Sequence, residues 1–269
     1  QLTFTGGGEL DNGLNVNLSF ILDQGDNATS ADGPFDSHSI TIGSDTMGTF
    51  TIAGEGAGNA QSALDTTAAG DIWDNGFTYG TNNGSAYAAP QGSDATSTKA
   101  INYSFPSMVD GVALTASYNA GAAAVESTTS YAATYTGVEG LSVSYGAGEV
   151  GSTAGKGDIT SMKGSYAMGS FTAAYSINDV DMAGSGTDEE QSSFKLSYTV
   201  TEDLSVSYGE ETHETSGSST DEEFEQIEVS YTTGGMTITA KNVEATGLGN
   251  TSGAAGAAER WKLGASFAF

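Results

Sequence analysis

Along the whole chain, apolar side chains return at every second residue and almost never at the three-to-four-residue spacing of an amphipathic helix. Leu14, Val16, Leu18, Phe20 and Leu22 form one such run, and Leu204, Val206 and Tyr208 another. The final run, Trp261, Leu263, Ala265, Phe267 and Phe269, carries the pattern to the last residue. In an extended strand, residues of one parity share a face. Each run therefore has an apolar face, and its other face carries Asn15, Asn17 and Ser19, Ser205 and Ser207, or Thr237 and Thr239. The pattern predicts about fifteen strands.

The connections fall into two kinds. DNG (11–13), DTMG (45–48), GVEG (137–140), TED (201–203) and TGG (233–235) are short polar turns suited to hairpins. Between them come long acidic, Gly/Ser-rich stretches such as DQGDNATSADGPFDS, DVDMAGSGTDEE and ETSGSSTDEE. Short and long alternate, so the two ends of the meander differ in character. A soluble sandwich gives no reason for that asymmetry.

A soluble barrel buries its apolar face inside. Closing about fifteen strands into one meander encloses more volume than these side chains fill, and near sixteen strands the lumen becomes an aqueous channel. The economical arrangement turns the apolar face outward to lipid and the polar face inward to water. Closure also satisfies every strand edge, as a membrane interior demands. Twelve tyrosines and Trp261, near strand ends, suit interfacial girdles.

Composition narrows the partners. Acids outnumber bases 34 to 7, a formal charge of −27, so no basic stripe exists to neutralise nucleic-acid phosphates. There is no cysteine, hence no disulfide framework and no thiolate metal site. No charged-then-apolar leader opens the sequence, which reads as a processed or truncated mature chain.

At this point the chain resembles the general porins of the Gram-negative outer membrane, particularly those of alphaproteobacteria. Two stretches carry the resemblance beyond architecture. KLGASFAF at the C-terminus is similar to the terminal aromatic signal read by the outer-membrane assembly machinery, with Phe267 and Phe269 as its signal residues. ITIGSDTMGTFTIAGEGAGNAQSALD (40–65) is similar to the hairpin leading into a pore-constricting third external loop, approached through Gly54, Gly56 and Gly58. The resemblance implies a single transmembrane up-and-down β-barrel over 1–269, with about sixteen strands, and 56–97 as the constriction loop. It also implies a homotrimer set among outer-membrane lipid and lipopolysaccharide, passing small hydrophilic solutes by diffusion, with no catalysis. The first strand and its loop are expected to lie upstream of Gln1.

The expected site is a charged lumen. Glu55, Asp65, Asp71, Asp74 and Asp94 belong to the long loop or its approach. Lys163, Lys195, Lys241, Arg260 and Lys262 take the lumen-facing parity of their strands. Their placement has a plain reason as well, because a charge facing lipid at mid-membrane costs about 2–4 kcal/mol. Lys99 takes the apolar parity near a strand end, and Lys156 is expected in a loop. The excess of acids predicts cation preference. The alternatives are a substrate-selective porin, or an acidic β-rich secreted or surface structural protein.

Other motifs fall away. GAGEVG (146–151) has dinucleotide-binding letters but no helix follows, and GSTAGKG (151–157) fails as a phosphate loop in both spacing and its closing residue. His38 and His213 have no partner at metal-ligand spacing. No nucleophile-elbow context occurs among the serines. The acidic tracts are candidates for Ca²⁺ through clustered carboxylates, with Asp179, Asp181 and Asp188 as the first ligands considered; no other cofactor is expected.

Overall fold

The computed structural model describes residues 2–22, 35–54, 58–64, 67–74, 77, 100–121, 126–152, 155–184 and 187–268. Fifteen strands form a single sheet in chain order, each paired antiparallel with its sequence neighbours. They are β1 Leu2–Glu9, β2 Asn15–Leu22, β3 Phe35–Ser44, β4 Gly48–Ala53, β5 Ala100–Ser104, β6 Val112–Asn119, β7 Thr128–Tyr135 and β8 Leu141–Ser152. They continue with β9 Gly155–Met168, β10 Phe171–Asp181, β11 Glu189–Thr199, β12 Leu204–Thr215, β13 Glu222–Thr233, β14 Met236–Thr246 and β15 Ala258–Phe267. No helix among the described residues is long and apolar enough to cross a membrane.

Register keeps the two faces of the sheet chemically separate. Leu18 stands opposite Ile40, Phe50 opposite Tyr103 and Tyr145 opposite Met162 on one face. On the other, Thr41 faces Thr51, Ser117 faces Ser130 and Ser144 faces Lys163. A one-residue slip would exchange the faces, so the alternation itself specifies the register. The tight turns use glycine where the backbone turns left-handed, as at Gly13 (φ 80) and Gly235 (φ 81).

Apolar residues lie exposed on the first face: Trp261 is 76% and Leu263 80% accessible. The ten tyrosines of the described strands all take this parity, from Tyr103 on β5 to Tyr231 on β13. The polar face is the concave one, because one stretch of the β4–β5 connection touches the polar sides of β6, β7, β9, β10, β11 and β12 in turn.

The sidedness reverses at the end of the sheet where the long connections lie. The acidic tracts that alternation alone assigns to loops are largely strand. Glu190 belongs to β11, Glu210 and Glu214 to β12, and Glu222, Glu223 and Glu225 to β13. Lys156, expected in a loop, sits in β9 beside Glu149 at 3.1 Å. There β8 and β9 run to twelve and fourteen residues and are joined by residues 153–154 alone, an exception to the alternation of short and long connections. The concave side becomes apolar at this rim, where Val150, Ile159 and Val180 form a buried cluster.

On the convex side of the same rim, carboxylates stand directly opposite one another. Glu210 faces Glu225, Glu225 faces Glu244, and Glu244 faces Glu259, across four consecutive strands. Some find neutral donors, as Glu259 does from Asn242 at 2.8 Å and from the Trp261 indole at 2.9 Å. Like charges in register nevertheless oppose pairing by roughly 0.2–1 kcal/mol each. Glu225→Gln, which removes the centre of the ladder, is therefore expected to raise the unfolding temperature in low salt and to leave it nearly unchanged in molar salt. Thermal unfolding in detergent at the two ionic strengths checks this; equal shifts at both would contradict it.

Candidate functional site

The described residues 58–64, 67–74 and 77 lie along the concave wall as a belt, and their contacts advance around the sheet as the residue numbers rise. It begins at β5, where the Asn102 side-chain amide donates to the Gly58 carbonyl at 3.1 Å. The Ala60 N–H then donates to Ser117 Oγ on β6 (2.8 Å) and Ser130 Oγ on β7 (3.1 Å). Gln61 donates to Ser161 Oγ on β9 at 2.6 Å. The Ala68 N–H reaches Ser176 Oγ on β10 (2.9 Å), and the Ala69 N–H reaches Ser193 Oγ on β11 (2.8 Å). Trp73 N–H donates to Glu211 Oε2 on β12 at 3.0 Å. Phe77 packs against Phe224 of β13, with ring centroids 5.9 Å apart.

Polar stitches are what a chain segment inside an aqueous lumen needs, since each buried backbone N–H requires an acceptor. The lumen parity supplies them as serine hydroxyls. Within the belt, Asn59 and Ser62 cap one another reciprocally, at 2.8 and 2.7 Å. Two wall glycines let the belt seat closely. A side chain at Gly146 would run into Leu64 and Gln61, and one at Gly209 would meet Ala69 and Ile72. Alongside the last stitches, Ala69, Ile72 and Phe77 bury themselves in an apolar cluster with Phe224, Val243, Ala245 and Leu248.

The five bases expected in the lumen all lie on the concave parity. The Lys163 ammonium donates to the Thr67 carbonyl at 3.1 Å and so holds the belt rather than facing open solvent. Lys241 pairs with Glu228 at 3.7 Å and stands opposite Lys262 across the β14–β15 register. The Arg260 guanidinium lies over the Phe77 ring, 5.9 Å from its centroid. Lys195 stands opposite Gly209 across the β11–β12 register. Of the expected acids, Asp71 is exposed on the belt, its carboxylate accepting from the Thr67 hydroxyl at 2.8 Å. Asp74 closes the short 3-10 turn Ile72–Asp74. Glu55, Asp65 and Asp94 lie outside the described residues, as do Lys99 and Phe269. Phe267 is on the convex face of β15, opposite Met236.

Asp179 and Asp181 lie on the convex face of β10, and Asp188 accepts from the Met182 N–H at 2.9 Å. Among the described residues, no group of three or more Asp, Glu or His side chains is gathered as a metal would need. His38 packs over Gly54, where any side chain would collide with the imidazole. His213 is buried on the concave side of the rim, beyond the apolar band, and burial lowers its pKa to about 4. Burial likewise raises the pKa of Glu222, against the lowering effect of the Gly249 and Asn250 N–H groups.

Sequence reasoning missed the wall serines, Glu211, Phe77 and the two glycines. Gly146 was visible only as part of a spurious dinucleotide-binding match, and Glu211 only as one acid in a tract.

The family model for Gram-negative porins matches residues 1–269. No curated protein matches the chain by sequence. Among solved structures, the fold is similar to an anion-selective porin from Comamonas acidovorans, at 13% identity and a TM-score of 0.61, covering 91% of this chain and 77% of that one. A mutant of the Rh. blastica porin gives 13% identity and a TM-score of 0.59, covering 99% and 89%. OmpT of Vibrio cholerae with loop L8 deleted gives 15% and 0.53, covering 94% and 84%.

Glu211→Ala leaves the Trp73 N–H without its acceptor, a loss of about 1–3 kcal/mol for a buried donor. The belt is then expected to loosen and the sugar exclusion limit to rise, whereas Glu211→Gln, which still accepts, keeps the wild-type limit. Liposome swelling with sugars of graded size checks this; equal limits for Ala and wild type would contradict it.

Proposed function

The chain belongs to the Gram-negative porin family, and on that premise we propose that it is a water-filled diffusion pore whose narrowest part is bordered by the belt 58–77. Family membership makes it an integral outer-membrane protein, and that membership supports a channel without catalytic chemistry. The observation that carries the finer reading is the run of stitches from β5 to β12. It supports a belt held as a second layer inside the wall on one side of the lumen. On the open side Asn15, Asn17, Thr41 and Thr49, together with Asp45, border a cleft of about 460 Å³. Small hydrophilic solutes pass between these walls without a dedicated binding track.

Charge supports a cation preference. Lys163 is engaged with the belt and Lys241 with Glu228, while Asp71 stands exposed. The net charge of −27 adds a cation-attracting potential at the mouths. The Comamonas porin is named as anion-selective, and at 13% identity its likeness to this chain is one of fold alone. The porin works as a homotrimer among outer-membrane lipids. A substrate-selective pore remains the second reading; it is favoured by Lys241, Lys262 and Arg260 lying close together on β14 and β15.

In a planar bilayer, discrete conductance steps are expected, and in a salt gradient the reversal potential takes the cation-selective sign. No conductance would overturn the pore reading. An anion-selective sign would overturn the charge assignment alone.

A further inference from the structure

The connection between β14 and β15 is folded down onto the rim. It turns through Gly247 (φ 69), Gly249 (φ 64) and Asn250 (φ 55). A side chain at Gly247 would overlap the Asp221 carbonyl, so this connection is seated directly against the start of β13. The Gly249 N–H donates to the Glu222 carboxylate on that strand. Leu248, only 3% exposed, enters the same apolar cluster that receives Ala69, Ile72 and Phe77 of the belt. Ser252, Gly253, Ala254 and Ala255, a few residues on, stand exposed.

One cluster therefore has three contributors: the wall, through Phe224 and Val243; the belt; and the external connection. Packed clusters of this kind do not deform smoothly, and loss of one contributor opens a void that the others cannot fill. The wall is fixed by its strand pairing. The two loop segments have no such ladder at this point; each is held there by a few hydrogen bonds to the wall and by this shared cluster.

We propose that the 247–257 connection is an outside handle on the belt. Displacing Leu248 from the cluster releases the belt residues packed there, Ala69, Ile72 and Phe77. The consequence for permeation rests on reading the belt as the border of the constriction; the mechanical coupling does not.

The chain has no cysteine, so Ala69→Cys, 3% exposed in the parent, provides a single thiol reporter on the belt. Its reaction with a small hydrophilic thiol reagent measures how often that segment opens. Adding Leu248→Ala is expected to speed labelling about tenfold, as expected for a buried leucine that anchors a local opening. Val180→Ala, in the separate rim cluster with no belt residue, leaves the rate unchanged. If Leu248→Ala does not fold, Glu222→Ala, which frees the Gly249 N–H, carries the test with the same expected direction. A rate within about twofold of the parent for either folded variant overturns the coupling, whether or not Phe77→Ala speeds labelling. Faster labelling on adding Leu248→Ala, in a protein that passes no current, would keep the coupling and sink the pore reading.

Discussion

The cross-strand hydrogen-bond ladder is the constraint from which the rest follows. In a hydrocarbon layer no water is present to satisfy a backbone N–H or C=O, so each strand must pair with its neighbours along its length. Neighbour-to-neighbour pairing in chain order meets that demand with short turns, and period-two alternation then gives each strand a lipid face and a water face. At the rim the demand lapses. There the strands carry carboxylates outward and bury Val150, Ile159 and Val180 inward, as an ordinary soluble sheet does.

The belt answers the same demand by other means. A segment lying against the inner wall has no strand to pair with, and its buried N–H groups are accepted by Ser117, Ser130, Ser176, Ser193 and Glu211. The lumen serines are thus both a polar lining and a row of acceptors at intervals around the wall. From Ala69 to Phe77 apolar burial joins and then replaces the stitches. The two kinds of contact fix the belt at both its early and late parts, so its course follows the curvature of the wall.

The architecture was legible because alternation is a local property, written twice in each strand: Leu18 and Phe20 outward, Asn17 and Ser19 inward. The parity of Lys163, Lys241 and Arg260 could be read for the same reason. The rim was not legible. Glu210, Glu214 and Glu225 keep strand conformation while losing the apolar signature by which strands are recognised, so they read as loop. The stitches were not legible either, because Ala60 meets Ser117 across 57 residues and Ala69 meets Ser193 across 124. Such contacts depend on the path of a long connection, which no local pattern encodes. Small residues in the wall, such as Gly146 and Gly209, signal the close approach only once the approaching segment is known.

The central claim is that the belt, and not the strand wall alone, sets the size of the opening. Replacing residues 58–77 by a short Gly/Ser linker and measuring single-channel conductance in reconstituted bilayers tests it directly. A larger unitary conductance than wild type, from a chain that still folds and inserts, is the predicted result. An unchanged conductance would show that the wall alone limits flow and would contradict the account.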